Sequence, residues 1–329
     1  MPSLLISVRN LNKRFYLNDE TIEGKVMVDA VNSVNFDIRQ GETLGLVGES
    51  GCGKSTLGRC LLRLIEPSSG EIFFEKKNIL QLREKAFKVY RKKMQIVFQD
   101  PFASLNPRKS VRFILEEPLI IHGIRDSHQR KKEVEEIVEQ VGLGLSDLCC
   151  FPHEFSGGQR QRIGIARALI LHPEFVVCDE PVSALDVSIQ AQILNLLIDL
   201  QNRMHLTFLF ISHDLSVVKH ISNRVAVMYL GQIVEYSETE EIFQNPLHPY
   251  TMALLSSIPV PDPSRKRNHL LVEGDPPSPF HPPSGCRFHT RCLQRMTICS
   301  QCIPEKLEVV AGHTVACHLY LEKTLNGRP

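Results

Sequence analysis

A glycine-rich loop between an apolar run and a segment of helical period constrains the fold of this chain most. Residues 48–55, Gly-Glu-Ser-Gly-Cys-Gly-Lys-Ser, match G-x-x-x-x-G-K-[ST] and follow the apolar run Thr43 to Val47. A strand, loop and helix in this order let backbone N–H groups and a helix N-terminus face the negative charge of a phosphate chain. The sequence therefore predicts an α/β nucleotide-binding fold, in which Lys54 adds a cation and Ser55 a magnesium ligand.

Other apolar runs predict strands that are buried on both faces and alternate with helices, which is typical of α/β architecture with a largely parallel sheet. The predicted strands are Thr43 to Val47, Gln95 to Phe98, Phe175 to Cys178 and Thr207 to Ile211. The predicted helices include 134–141 and 189–200. The alternation at 34–38 and the stretch 224–236, which turns at Gly231, add a smaller antiparallel element.

Polar side chains follow three of these strands. Asp179 and Glu180 follow the predicted strand Phe175 to Cys178, and His213 follows the strand Thr207 to Ile211. Gln99 follows the strand Gln95 to Phe98 and precedes Asp100. Because the carboxyl ends of parallel strands meet at one sheet edge, these groups are expected beside the phosphate loop. Asp179 is suited to the magnesium shell and Glu180 to orienting or deprotonating a water, while Gln99 is suited to contacting both metal and water.

A second glycine-rich helix start lies at Phe155-Ser-Gly-Gly-Gln-Arg160. It predicts a second anion site at a helix N-terminus, and an ordinary N-cap at Ser156 is the alternative. The first loop already cradles one nucleotide. A second phosphate contact is therefore expected across a dimer interface.

Charge and hydropathy exclude several classes of protein. The 38 basic and 37 acidic side chains do not indicate a nucleic-acid partner. No apolar run approaches the roughly 18 residues that span a bilayer, and the first residues carry charge where a signal peptide is apolar. These features predict a chain that stays in the cytoplasm, where cysteines remain reduced.

Composition changes near residue 237. The stretch from Pro246 to Pro304 holds 11 of the 20 prolines, and five of the ten cysteines fall in the last 44 residues. We expect a cassette over 1–236 and an appended Pro-rich, Cys-rich tail over 237–329, joined by a stiff linker. A cysteine cluster in a reducing compartment indicates metal binding or redox chemistry rather than disulfides.

Together these motifs resemble the nucleotide-binding subunit of an ATP-binding-cassette (ABC) transporter, a P-loop NTPase with a small antiparallel β element and a helical subdomain at about 100–155. The resemblance makes Glu180, His213 and Gln99 the catalytic groups, and Asp179 the aspartate that joins Ser55 and Gln99 at magnesium. It makes Ser156, Gly157, Gly158 and Gln159 the signature, and Ser183 to Asp186 the D-loop. It makes the following residues the phosphate-binding loop: Gly48, Glu49, Ser50, Gly51, Cys52, Gly53, Lys54, Ser55 and Thr56. Phe15 would stack on adenine, with Tyr16 as the alternative.

Residues 245–251 and 285–289 of the tail resemble the C-terminal extension of the ATPases that serve oligopeptide and dipeptide importers. Among these ATPases, the chain most resembles the F-type subunit. The resemblance implies a D-type ATPase as heterodimer partner, two transmembrane permease subunits and an extracytoplasmic peptide-binding protein. The cassette would then sit at the cytoplasmic face of the plasma membrane. The cargo stays open, because related ATPases serve nickel and other solutes.

The same resemblance assigns Cys286, Cys292, Cys299 and Cys317 to a 4Fe-4S cluster. Thiolates suit zinc as well, and a tail without metal is the third possibility. Cys302 lies outside the pattern as a spare thiol or substitute ligand, and His289 and His313 are further candidate ligands.

Three further hypotheses concern Cys52 and two competing classes of protein. Cys52, beside a helix N-terminus, is expected to have a lowered pKa, so that its alkylation blocks nucleotide binding and ATP protects it; the alternative is a small residue that the loop merely tolerates. A cassette ATPase of DNA repair or translation would share the motifs, but the chain lacks long coiled-coil insertions and a second cassette. A non-enzymatic iron-sulfur or zinc protein would leave Glu180 and His213 unexplained.

Overall fold

The computed structural model describes residues 3–18, 25–258, 274–275 and 277–321. In chain order the elements are β1 Leu4–Asn18, β2 Lys25–Arg39, β3 Thr43–Val47, α1 Lys54–Leu61, β4 Ser69–Phe74, β5 Lys77–Asn78, α2 Glu84–Lys93, β6 Met94–Val97, α3 Pro101–Ser104, α4 Val111–Ile121, α5 Ser127–Gln140, α6 Gly157–Leu169, β7 Phe175–Asp179, α7 Val187–Met204, β8 Thr207–Ser212, α8 Leu215–Ile221, β9 Arg224–Tyr229, β10 Gln232–Glu238, α9 Thr239–Gln244, α10 Pro249–Ser256, β11 Lys306–Val310 and β12 His313–Ala316. The predicted linker falls largely on 259–273 and 276, which lie outside the described residues.

The chain forms two compact units, of which the first comprises residues 1–3, 39–43 and 81–211. Its strands β6, β7 and β8 pair in parallel in that order. Every residue of β7 and β8 is buried, as expected for strands covered on both faces. Helices α3 to α5 lie within the predicted helical subdomain, where Asp100, Ser110 and Asp126 cap their N-termini through side-chain oxygens.

The second unit comprises residues 4–38, 44–80 and 212–329. Here β3 pairs in parallel with β9, and β10 and β12 extend this sheet in antiparallel fashion. The hairpin of β11 and β12 brings the end of the tail to β10, where Glu235 lies opposite Val315. A separate antiparallel sheet has the order β2-β1-β4-β5. The phosphate loop and the described part of the tail therefore belong to one unit.

The α/β prediction is confirmed, with the antiparallel element. Strands β3, β6, β7 and β8 coincide with the predicted apolar runs to within a residue, and α5 and α7 cover the predicted helical segments. The turn at Gly231 joins β9 to β10, with φ of 84° at the glycine. Within the described ranges, no helix combines the length and apolarity that crossing a bilayer requires.

Candidate nucleotide-binding site

Two glycines shape the phosphate loop between β3 and α1. Gly48 has φ of 155° and Gly53 has φ of 105°, backbone conformations that residues with a side chain rarely adopt. A Cβ atom would overlap the carbonyl oxygen of Met228 at Gly48 and that of Ala30 at Gly53. The loop can therefore wrap closely only with glycine at these two positions.

Lys54 is buried at the first position of α1, and its ammonium group is held over the loop. Nζ donates to the carbonyl oxygens of Gly48 at 2.7 Å and Glu49 at 2.9 Å. Ser55 and Thr56 follow in the same helical turn and are half-buried. The Lys54 ammonium, the neighbouring hydroxyls and the backbone N–H groups at the start of α1 together form an arrangement suited to a phosphate chain.

Glu49 joins the loop to the tail. Its carboxylate accepts from Nη1 of Arg291, with N–O distances of 3.0 and 2.9 Å, and its backbone N–H donates to the Tyr250 hydroxyl at 2.8 Å. Burial alone would lower the pKa of Arg291, but hydrogen bonds to Glu49 and to the Tyr229 hydroxyl raise it above its ordinary value. The guanidinium is therefore a permanent positive charge at this loop.

Cys52 corrects an expectation. Its thiol is buried, and burial raises its pKa despite the opposing effect of Lys54. Desolvation thus outweighs the helix N-terminus and the neighbouring cation, so the predicted lowering of the Cys52 pKa is wrong. The backbone of Cys52 has a clear structural part, because its carbonyl oxygen accepts from the N–H of Gly231 at 2.8 Å.

An aromatic cluster anchors the tail beside the loop. The Phe288 ring lies edge-on to Tyr229 with centroids 5.2 Å apart, and it contacts Tyr250 at 5.3 Å and His248 at 5.7 Å. Tyr229 and Tyr250 lie 4.6 Å apart and are fully buried. Arg287, next to Phe288, donates to the carbonyl oxygen of Leu230 in the β9–β10 turn.

In the first unit, Glu180 and Gln99 are brought together. Nε2 of Gln99 donates to Oε2 of Glu180 at 3.2 Å. Glu180 has φ of 48°, a left-handed conformation that turns the chain sharply away from the end of β7. Its N–H donates to Ile211 O at 3.1 Å, while the preceding Asp179 is 1% exposed. Strained backbone at a strand end is a feature that clusters at functional sites.

The signature and the D-loop also lie side by side in this unit. Ser156 caps α6, since its Oγ accepts from Gln159 N at 3.3 Å and Gln159 Oε1 accepts from Ser156 N at 3.0 Å. A Cβ at Gly157 would lie 3.3 Å from the Leu185 side chain. The N-cap expected as the alternative is present, and a serine hydroxyl that accepts in a cap can still donate to a phosphate. Asp186 is exposed at the start of α7.

The remaining predicted nucleotide contacts lie in the second unit. His213 is exposed directly after β8 and before α8, whose N-cap is Asp214. Phe15 and Tyr16 are neighbours in β1, so their side chains point to opposite faces of the strand. Phe15 is half-buried beneath the Lys13 ammonium, whereas Tyr16 is 65% exposed. The choice between them as the adenine-stacking ring stays a prediction.

The four cysteines assigned to a cluster influence one another but do not form a ready metal site. Burial raises the pKa of Cys286 to about 11 and that of Cys317 to about 12, and the thiols of Cys292 and Cys299 add to both shifts. Cys286 N donates to Cys299 O at 2.8 Å. The donor chemistry suits iron-sulfur or zinc. Among the described residues, however, no three His, Cys, Asp or Glu side chains are arranged to hold a metal ion, so this geometry does not support the predicted cluster.

The other candidate ligands have partners of their own. Nδ1 of His289 lies 2.8 Å from Cys286 O, and His313 is buried with Nε2 2.7 Å from Glu235. Cys302 is exposed, and its carbonyl oxygen accepts from His318 at 2.9 Å. The contacts of His289 and His318 are structural links within the tail, and that of His313 links the tail to β10.

Comparison with known proteins agrees with this geometry. The family model for ABC transporters matches residues 31–183, and that for the oligopeptide/dipeptide transporter C-terminal region matches 234–299. The oligopeptide transport ATP-binding protein AppF of Bacillus subtilis (strain 168) is 54% identical over 320 residues, which cover 96% of this chain and 97% of that protein.

Two solved structures are similar. The ATP-binding cassette MJ0796, a dimer in a post-hydrolysis state bound to ADP and Pi, has a TM-score of 0.63 and 27% identity, covering 71% of this chain and 99% of that one. The cbiO1 protein of Clostridium perfringens, part of the ABC transporter complex cbiONQ, has the same TM-score and identity. The match covers 74% of this chain and 92% of that one. A glycine-rich phosphate loop after one parallel strand, and a Gln99–Glu180 contact at the end of another, are typical of P-loop ATPases. The chain belongs to the ABC transporter family of ATPases, and it carries the C-terminal region of the oligopeptide/dipeptide group.

Sequence reasoning missed two residues that touch the loop, Arg291 and Tyr250. Arg291 is 242 positions from Glu49, and Tyr250 is 201 positions from it. No local spacing links residues so far apart. The available signals were the position of Arg291 between two cysteines, a pattern that predicts metal binding or redox chemistry, and that of Tyr250 in the stretch 245–251, which carries the resemblance.

Proposed function

We propose that this chain binds and hydrolyses ATP to power the import of oligopeptides or dipeptides. The observation that carries the ATPase part is the contact between Gln99 and Glu180 at the end of β7, in a chain that also carries the wrapped phosphate loop. The name of AppF, an oligopeptide transport ATP-binding protein, supports the cargo class.

The phosphate loop would hold the triphosphate. Backbone N–H groups from Gly48 to Thr56 and the α1 N-terminus provide donors, and the Lys54 ammonium moves its hydrogen bonds from loop carbonyls to phosphate oxygens. Ser55 and Asp179 would supply hydroxyl and carboxylate ligands to magnesium, and the Gln99 amide oxygen would be a further ligand. When bound, the ion neutralises charge on the phosphates.

Glu180 would orient the attacking water and accept its proton. The Gln99 amide donates to the Glu180 carboxylate and would help to orient it toward the water. His213, after the next strand, would sense the terminal phosphate. In this proposal Gln99 supplies an uncharged donor, Glu180 a carboxylate and His213 an imidazole.

A second cassette would complete the site. The signature, Ser156 to Gln159, and Asp186 of the D-loop would contact the nucleotide held by the partner, a D-type ATPase. Asp186 and its neighbour Val187 are both exposed and therefore accessible to a partner. The dimeric MJ0796 cassette supports this arrangement.

Permease subunits would dock on the helical subdomain at the cytoplasmic face of the membrane. Several large apolar side chains are exposed there: Phe102, Phe113, Ile120, Ile121 and Phe151. Two such permeases and an extracytoplasmic peptide-binding protein would complete the importer. Adenine would stack on Phe15, or on Tyr16.

Nucleotide binding and ATP turnover of the full chain test the proposal. Lys54→Met should abolish binding of Mg-ATP, while Lys77→Met, at an exposed lysine of the same unit, should not change it. Uptake of labelled peptides and of nickel by cells that carry the intact transporter distinguishes the cargo classes. Turnover unchanged by Lys54→Met would refute the ATPase assignment, and uptake of nickel alone would refute the peptide assignment.

We also propose that Cys286, Cys292, Cys299 and Cys317 hold a 4Fe-4S cluster, with zinc as the alternative. The support is their thiol chemistry and the effect of Cys286, Cys292 and Cys299 on the pKa of Cys317, while the described geometry offers no preformed metal site. Iron and zinc analysis of anaerobically purified protein, with Cys302→Ser as the matched control, decides. About four irons per chain are expected; stoichiometric zinc, or neither metal, would refute the cluster.

A further inference from the structure

The tail supplies the charge that balances the carboxylate in the phosphate loop. We propose that Arg291 is a positioning residue for nucleotide binding: it holds and neutralises Glu49, so that the loop presents its N–H groups and Lys54 to the triphosphate. The inference rests on the proposed ATP-binding function. It assigns to the tail a direct part in nucleotide affinity, separate from any metal at its cysteines.

Glu49 is fixed through three of its groups. Its carboxylate accepts from Arg291 at 3.0 and 2.9 Å, its N–H donates to Tyr250, and its carbonyl oxygen accepts from Lys54 at 2.9 Å. The residue therefore links the arginine of the tail to the lysine of the loop. A shift of the Glu49 side chain would therefore displace the loop backbone that is expected to wrap the phosphates.

The charge of Glu49 makes this link necessary. A carboxylate within a loop that must receive a polyanion repels that polyanion, and the repulsion is strong where solvent is partly excluded. Arg291 removes this cost, because its guanidinium cannot be deprotonated and one nitrogen contacts both carboxylate oxygens. ATP carries one more negative charge than ADP and should depend on the arginine more strongly.

Arg291 is built into the structure rather than lying on the surface. Its side chain is 8% exposed. Its N–H donates to Phe288 O at 3.0 Å, and Phe288 packs among Tyr229, Tyr250 and His248. The Glu49 side chain is 25% exposed, so the ion pair is partly buried. Removing one partner of such a pair should cost more than it does in a fully exposed pair, because the remaining charge stays partly desolvated.

Equilibrium binding of Mg-ATP and Mg-ADP to the full chain tests the inference, with Arg291→Gln, Glu49→Gln and the double variant. Arg291→Gln should weaken Mg-ATP binding by about tenfold, a size typical of residues coupled by direct contact. Mg-ADP binding should weaken by a smaller factor. The double variant should recover most of the loss, because it no longer contains an unbalanced carboxylate.

Arg295→Gln is the matched control, since Arg295 lies four positions along the same segment and is exposed. It should bind both nucleotides as the wild type does. In the assembled transporter, Arg291→Gln should raise KM for ATP and leave kcat nearly unchanged, which a general loss of structure would not do. Glu49→Asp keeps the negative charge but moves the carboxylate away from Arg291. This variant tests the ion pair from the side of the loop, and it should also weaken Mg-ATP binding.

The outcomes separate the inference from the proposed function. A wild-type chain that fails to bind Mg-ATP would refute both. Normal wild-type binding with Arg291→Gln or Glu49→Asp unaffected would refute the inference alone. A double variant as weak as Arg291→Gln would refute the charge balance, because neutralising Glu49 would then bring no recovery.

Discussion

Acidification should loosen the aromatic cluster beside the phosphate loop through His248. This histidine is 1% exposed at the N-cap of α10, where Nδ1 accepts from Tyr250 N at 3.0 Å. Within the described part of the chain, Nε2 has no hydrogen-bond partner. Burial lowers the pKa of His248 from 6.5 to about 4, although Glu235 opposes the shift. The folded protein therefore keeps the imidazole neutral where the unfolded chain protonates it.

The sign and size of the effect follow from proton linkage. Because the folded pKa is depressed, the unfolded state binds more protons between the two pKa values, and stability falls as the pH drops below about 6.5. At about pH 5 the unfolded chain binds most of one proton at His248 that the folded protein does not bind. Since one pKa unit corresponds to 1.36 kcal/mol, this lowers the free energy of unfolding by about 2 kcal/mol relative to neutral pH. This is a large part of the free energy of unfolding of a typical domain.

The assay compares the wild type with His248→Asn by urea unfolding near neutral pH and at about pH 5. Asparagine can still cap α10 through its side-chain oxygen but does not titrate. Since the chain has no tryptophan, circular dichroism is the natural probe. The wild type should lose about 2 kcal/mol more than the variant on acidification. Equal losses in the two proteins would show that His248 does not titrate on unfolding, which would refute the reasoning.

Three other outcomes are expected. Glu180→Gln should slow ATP turnover about a hundredfold or more while keeping nucleotide binding, and unchanged turnover would contradict its assigned role. Gly158→Val should lower the free energy of unfolding by about 1–3 kcal/mol, because a Cβ would lie 2.6 Å from Ile189, whereas Gly164→Ala, which meets nothing within 4 Å, should not. Iodoacetamide should label exposed Cys149 long before buried Cys52, as mass spectrometry of the peptides would reveal; faster labelling of Cys52 would contradict its raised pKa.

Local patterns predicted the parts of this molecule that depend on neighbouring residues. The run Thr43 to Val47 and the following glycines specify strand, loop and helix start by chemistry that acts over a few positions. The Ser156 cap follows from the same kind of signal, because its partner Gln159 is three residues away.

Features that depend on tertiary burial escaped prediction. The pKa of Cys52 was predicted in the wrong direction, because sequence reveals the helix N-terminus and Lys54 but not the desolvation that outweighs them. Gly158 illustrates the same limit. Its position in a glycine-rich helix start suggested an anion site, while the space beside it is also required by the Ile189 side chain.

The order of synthesis adds a consequence to the pairing of Glu49 with Arg291. The loop leaves the ribosome 242 residues before the arginine that balances its carboxylate. Contacts of such long sequence separation form late and are lost in shortened chains. A nascent chain that ends before Arg291 would therefore carry the complete motif with an uncompensated charge, and full nucleotide affinity would arise only once Arg291 has been translated.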